Sequence, residues 1–168
     1  LPFIPYKSGE QASGILWKLY EKFPSLAAQF KENKIIALWT TDPYFLITSK
    51  RQVKTLEDLK GLKLRVVGGP PTEQAKLLGA VPMFLAMADT YLNLQKGVID
   101  GMPTCWEALT SFRQFEVVKY YTFGTPFHVV YFSLPLNWDM WNSMSPDLQD
   151  TVMKTIGGLE GSKFWGRV

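Results

Sequence analysis

Arg65 closes the run Thr55-Leu-Glu-Asp-Leu-Lys-Gly-Leu-Lys-Leu-Arg65-Val-Val67 and is the residue of this chain best suited to hold an anion. A guanidinium presents a planar fork of N–H donors that matches both oxygens of a carboxylate, and the pairing strengthens where water is excluded. Lys60 and Lys63 lie nearby, and Lys63 shares a strand face with Arg65, so either of the two can point inward. Read alone, Arg65 is also consistent with a surface cation or a local ion pair. Thr104, shortly after Asp100-Gly101, offers a hydroxyl that both donates and accepts, or else simply caps the helix expected to follow. Tyr131 offers a second hydroxyl from a strand, where tyrosine also serves structurally. Phe45, Met87 and Trp106 suit either the apolar wall of a ligand pocket or a core. The Gly68-Gly69 turn before Thr72 could expose amides to an anion, but it lacks the lysine and spacing of a phosphate loop.

A different chemistry is conceivable. The chain has one cysteine and one histidine, Cys105 and His128, so they are the only candidates for a thiol–imidazole pair. A helix start at Cys105 would lower its pKa and favour a thiolate. Against this, no third group to orient the imidazole is suggested. The sequence has no Gly-x-Ser-x-Gly elbow and no Cys, His and carboxylate cluster at metal-ligand spacing. No cofactor is called for. A net charge of +3 with no basic run argues against a nucleic-acid partner. The longest apolar run, Val129–Leu136, is far short of a membrane span and contains a proline, so the chain is not expected to insert in a membrane. The lone cysteine rules out an intrachain disulfide. The opening Leu1-Pro2-Phe3 shows neither an initiator methionine nor a leader.

The elements that would position these residues follow from periodicity and turn chemistry. Residues 8–33 read as helical with a break at Pro24. Ile35–Trp39 and Tyr44–Thr48 are short β runs. Thr55 opens a one- or two-turn helix, with Asp58 completing a weak capping box, and Gly61 ends it. Leu62–Val67 is the clearest strand, carrying Arg65 towards its end. A helix is expected from Thr72 to Gly79, another through Tyr91 and Leu94 to Gly97, and a third from Thr104 to Phe115 after a tight Asp-Gly turn. Phe127–Leu134 reads as a strand, and Ser145-Pro146 opens a final helix with cap and first-turn proline in order. The alternation predicts an α/β protein with largely parallel strands.

The Thr55–Val67 run, Leu78-Gly-Ala-Val-Pro-Met83, Tyr91-Leu-Asn-Leu-Gln-Lys-Gly-Val-Ile-Asp-Gly101, Phe115-Glu-Val-Val-Lys-Tyr-Tyr121 and Asn137–Gln149 occur in this order. Together they resemble the solute-binding proteins of tripartite ATP-independent periplasmic (TRAP) transporters, the DctP-type family. The resemblance implies a two-lobed, periplasmic-binding-protein-like clamshell. Residues 1–47 would be part of the first lobe, 48–126 the second, and 127–168 the return to the first. It further implies that the family's opening strands, closing helices and signal peptide belong to a longer parent. The implied function is a periplasmic receptor for an organic acid that delivers it to TRAP membrane permease subunits and is not an enzyme. By this resemblance Arg65 anchors the carboxylate and Thr104 stands where many members place an asparagine. Phe45 stands where sugar-acid-binding members have a second arginine, and Met87 where an aromatic often packs on the ligand. Trp106 and Tyr131 complete the expected lining. A thiol-dependent enzyme and a ligand-free scaffold of the same fold are the alternatives.

Overall fold

The computed structural model describes residues 6–125 and 127–167. Along the chain, helix α1 (Gly9–Lys22) is capped by Ser8, whose side chain accepts from the Gln11 amide, and it ends at Phe23 because Pro24 cannot extend it. Helix α2 (Pro24–Ala27) runs into a 3-10 turn, and strands β1 (Asn33–Thr40) and β2 (Phe45–Thr48) follow. Next come β3 (Lys63–Val66), α3 (Pro70–Leu77), β4 (Val81–Phe84), α4 (Thr90–Lys96), β5 (Gly101–Thr104), α5 (Trp106–Ser111) and β6 (Tyr120–Thr122). Strand β7 (Tyr131–Asn137) and helices α6 (Trp138–Ser143), α7 (Pro146–Thr155) and α8 (Gly158–Trp165) complete the chain.

These elements form two compact units, one of residues 43–129 and one of residues 6–42 with 130 onward. In the discontinuous unit β1 pairs antiparallel with β7, from Asn33↔Asn137 to Thr40↔Tyr131. Only one edge of β1 has a strand partner, so other groups must satisfy its remaining donors. Two buried serines do so: Leu38 N–H donates to Ser162 Oγ at 3.0 Å and Thr40 N–H to Ser13 Oγ at 2.9 Å. Trp17, Ile35 and Leu38 form the core beneath α1.

The 43–129 unit is built on a five-stranded sheet of order β4-β3-β5-β2-β6. Strand β3 is parallel to β4 and β5, whereas β2 is antiparallel to β5 and β6. The sheet is therefore mixed, contrary to the largely parallel arrangement expected from alternation. The helices that return β3 to β4 and β4 to β5 enforce parallel pairing locally, but β2 enters from the other direction and pairs edge to edge. Asp58 behaves as the capping box requires: its carboxylate accepts from the amides of Lys54 and Thr55 at 2.8 and 2.9 Å. The core of this unit is Phe45, Ile47, Leu94, Ile99, Met102, Leu109 and Val118.

Several boundaries differ from those read in the sequence. Helix α3 begins at Pro70 rather than at a Thr72 cap, because Gly69 takes a positive φ of 57° and turns the chain directly into a first-turn proline. Asp100-Gly101 is not a tight turn. Asp100 Oδ2 accepts from Lys63 N–H at 3.0 Å and Asp100 N–H donates to Lys63 C=O at 2.8 Å, which leads Gly101 into β5. Thr104 ends that strand and caps nothing; α5 starts two residues later. The returning strand lies at Tyr131–Asn137, several residues beyond the expected Phe127–Leu134. The helix at Ser145-Pro146 is not the final one, since α8 follows it. Among the described residues no helix is long and apolar enough to cross a membrane.

Gly101 lies against β2 so closely that a Cβ there would stand 2.2 Å from the Ile47 carbonyl oxygen and 2.7 Å from Thr48 Cγ2. Replacing it pushes on backbone rather than on a movable side-chain tip. Gly101→Ala is expected to destabilise the protein by about 1–3 kcal/mol, measured by denaturant unfolding with an unchanged m-value; a loss below about 0.5 kcal/mol would refute this packing.

Candidate functional site

Side chains of residues paired across a sheet share a face, and faces alternate along each strand. The register Leu64↔Gly101 and Arg65↔Met83 puts Arg65 on the same face as Met83 and Met102. The pairs Phe45↔Thr104 and Ile47↔Met102 extend that face to Phe45 and Thr104. The topology thus gathers Arg65, Thr104 and Phe45 on one side of the sheet, near the carboxyl ends of β3 and β5. Lys63, two residues before Arg65, is exposed.

Arg65 is only 6% exposed. Its Nε donates to the Leu85 carbonyl, just past β4, at 2.9 Å, which fixes the plane of the guanidinium. Burial lowers its pKa, partly offset by the Tyr44 phenol nearby. Among the described residues no Asp or Glu forms an ion pair with it. The site therefore holds a desolvated cation, oriented by a neutral carbonyl and without a protein carboxylate to neutralise it.

Around this cation lie Tyr44, Cys105 and His128. The Tyr44 ring packs 4.9 Å from the imidazole of His128. Its hydroxyl hydrogen-bonds the Cys105 thiol, which burial nevertheless pushes upward in pKa. The expectation that a helix start would activate Cys105 is thus reversed: the thiol is buried, and desolvation outweighs the amides of a six-residue helix. No hydrogen bond joins Cys105 to His128 among the described residues. The imidazole Nδ1 is buried without a hydrogen-bond partner. Burial, together with the positive charge of Arg65, lowers the His128 pKa to about 4.

The remaining expected residues divide between buried support and surface. Thr104 is fully buried, and its hydroxyl donates to Gln114 Oε1 at 3.3 Å. Met87 is half-buried, and its sulfur accepts from Gln114 Nε2 at 3.3 Å. Phe45 forms the base of an aromatic cluster, 4.6 Å from Trp106 and 5.1 Å from Phe123 between ring centroids. Trp106 and Phe123 stack at 5.7 Å and both are exposed. Tyr131 lies in the discontinuous unit, on β7 opposite Thr40, and is exposed. Sequence reasoning missed Gln114, Tyr44, Phe123 and the Leu85 carbonyl. The aromatics were visible in number though not in grouping, and a lone glutamine between charged and aromatic neighbours gives no sign of burial. Among the described residues no group of three or more His, Cys, Asp or Glu is placed to hold a metal.

Residues 2–159 match the model of the bacterial extracellular solute-binding protein family 7, DctP. The chain belongs to this family. A DctP-type TRAP solute-binding protein from Rhodoferax ferrireducens, crystallised with copurified benzoate, superposes with a TM-score of 0.88 at 28% identity over 99% of the present chain. Another from Bordetella bronchiseptica, with bound (R)- and (S)-mandelate, gives 0.87 at 28% identity over the same share. The present chain spans 52% of the length of either. The 2,3-diketo-L-gulonate-binding periplasmic protein of Escherichia coli is 30% identical over 128 residues, which are 74% of this chain and 38% of that protein. The fold is thus the α/β fold of TRAP solute-binding proteins, a family of extracytoplasmic receptors rather than enzymes.

Protonating His128 would place a charge in a buried site beside Arg65. Its folded pKa of about 4 lies below the ordinary 6.5, so the unfolded chain binds the proton first. The stabilisation from the neutral imidazole is therefore complete above pH 6.5 and is lost as pH falls from there to about 4, to the order of 3 kcal/mol. Denaturant unfolding at pH 7 and pH 4.5 should show a His128→Asn variant losing less stability on acidification than the parent; equal losses would refute this role for the imidazole.

Proposed function

We propose that this chain forms part of an extracytoplasmic receptor for an organic monocarboxylate of apolar, preferably aromatic, character. The receptor passes its ligand to a TRAP membrane permease. The observation that carries the reading is Arg65, a buried guanidinium held by the Leu85 carbonyl with no acidic partner among the described residues. Leaving a charge desolvated and unpaired is costly, and a ligand carboxylate supplies the missing partner through two parallel hydrogen bonds. The Phe45–Trp106–Phe123 cluster favours a ring over a polyol beyond the carboxylate, since aromatic pairs add about 0.5–1.5 kcal/mol beyond area burial.

The relatives support this ordering. Benzoate, mandelate and 3-hydroxybenzoate accompany structural relatives at 28–29% identity, whereas β-D-glucuronate and β-D-galacturonate accompany relatives at 22–23%. Phe45, at a position where the resemblance puts a second arginine in sugar-acid binders, fits the same division. We place Thr104 in support of the site rather than against the acid, because its hydroxyl is committed to Gln114. A thiol enzyme fits less well, given the buried, high-pKa Cys105 and its lack of a bond to His128.

Thermal shift of the full-length protein against benzoate, mandelate, glucuronate and a C4-dicarboxylate tests the proposal. A bound acid at 100 times its dissociation constant stabilises by about 2.7 kcal/mol, a readily seen rise in Tm. Benzoate or mandelate should raise Tm most, Arg65→Ala should abolish the rise, and Cys105→Ser should leave it intact. Stabilisation that survives loss of Arg65, or no response to any acid, would sink the proposal.

A further inference from the structure

Gln114 is fully buried, yet it belongs to neither the apolar core nor the expected lining. Its amide is used at both ends. Oε1 accepts from the Thr104 hydroxyl at 3.3 Å, at the end of β5. Nε2 donates to Thr90 Oγ1 at 3.0 Å and to Met87 Sδ at 3.3 Å. Thr90 in turn donates to the Met87 carbonyl at 2.7 Å. One side chain thus joins the end of β5 to the segment that links β4 to α4. That segment also contains Leu85, two residues before Met87, whose carbonyl fixes the Arg65 guanidinium.

A second observation points to the same residue. Arg113, immediately before it, is the only non-glycine with a positive φ among the described residues, at 52°. Side chains rarely adopt this left-handed conformation, and it persists only where the surroundings hold it. Here Glu116 holds it: Arg113 Nε donates to Glu116 Oε1 at 2.8 Å, and the Tyr91 hydroxyl donates to Glu116 Oε2 at 3.0 Å. The strained turn sits just where the chain carries Gln114 from the surface into the core.

We infer that Gln114 is a positioning residue for the anion site, setting the guanidinium of Arg65 through the Met87–Leu85 segment while anchoring the start of α5 through Thr104. The inference deepens the carboxylate-receptor reading and rests on it for its effect on ligand affinity, though not for its effect on Arg65 itself. Gln114→Met preserves volume and unbranched shape while removing both ends of the amide. The loosened segment lets the Leu85 carbonyl move, and Arg65 loses its fixed plane without being touched.

Two readouts on the full-length protein test this. The Nε–Hε resonance of Arg65, assigned by its loss in Arg65→Lys, should be sharp in the ligand-free protein and broaden or vanish in Gln114→Met. Benzoate affinity should fall about tenfold, the loss expected from weakening one orienting hydrogen bond. A resonance and an affinity both unmoved by Gln114→Met, with Arg65→Ala abolishing binding, would overturn the inference and leave the receptor reading standing. No acid binding by the parent, with the resonance still lost in Gln114→Met, would overturn the receptor reading and leave the positioning role standing. Should Gln114→Met not fold, Thr90→Val opens the same network from its other end, and an undisturbed Arg65 resonance there would equally refute the inference.

Discussion

The structure around the candidate site is organised by one constraint: a guanidinium removed from water must be oriented and compensated. Arg65 lies in β3, flanked by parallel β4 and β5, and emerges on the face shared by Phe45 and Thr104. Its single fixed hydrogen bond goes to a backbone carbonyl, an acceptor that orients the group without cancelling its charge. A carboxylate in that place would neutralise the site and remove its pull on an anion. A hydrated surface position would weaken any pairing towards the small values typical of exposed ion pairs. A buried arginine tied to a carbonyl retains the affinity and the direction together.

How much of this was legible in the sequence depends on where each signal resides. Helix α1 broke at Pro24, the capping carboxylate of Asp58 did its work, and β1, β2 and β3 formed close to where their apolar runs stand, because those signals are local. Strand β5 was not legible. Gly-Met-Pro-Thr has little intrinsic β preference; it becomes a strand because the small Gly101 fits against the β2 backbone and Asp100 ties its start to Lys63. Missing that strand turned Asp100-Gly101 into a supposed turn and Thr104 into a supposed cap. The mixed direction of the sheet was hidden for a related reason. Alternation of strands and helices records crossovers between consecutive elements, and β2 pairs with strands far from it in sequence.

The site itself was half legible. Arg65 could be proposed from chemistry and from resemblance, since a guanidinium at a strand end has few uses in a core. Its companions could not be sorted by type. Phe45 and Trp106 belong to one aromatic cluster whose third member, Phe123, comes from the loop after β6. Cys105 looked like an activated thiol because helix starts favour thiolates, yet desolvation dominates once the group is buried. Gln114 reads as surface polarity from sequence alone. Only the three-dimensional arrangement shows a fully satisfied amide bridging two segments, and satisfied buried networks fix geometry better than apolar packing does.

The same accounting bears on ligand choice. With one buried cation and an aromatic cluster rather than a second arginine beside Thr104, a monocarboxylate can pair its only charge and place the rest of its surface against rings. A dicarboxylate would have to leave its second carboxylate either solvated outside the site or desolvated against Phe45 and Trp106. Burying a charge without a partner costs several kcal/mol even after relaxation, more than one aromatic contact returns. A polyhydroxylated acid meets a milder form of the same penalty, since each hydroxyl brought against the rings forfeits a hydrogen bond to water. Selectivity in such a site comes as much from what the aromatic wall cannot satisfy as from what Arg65 attracts.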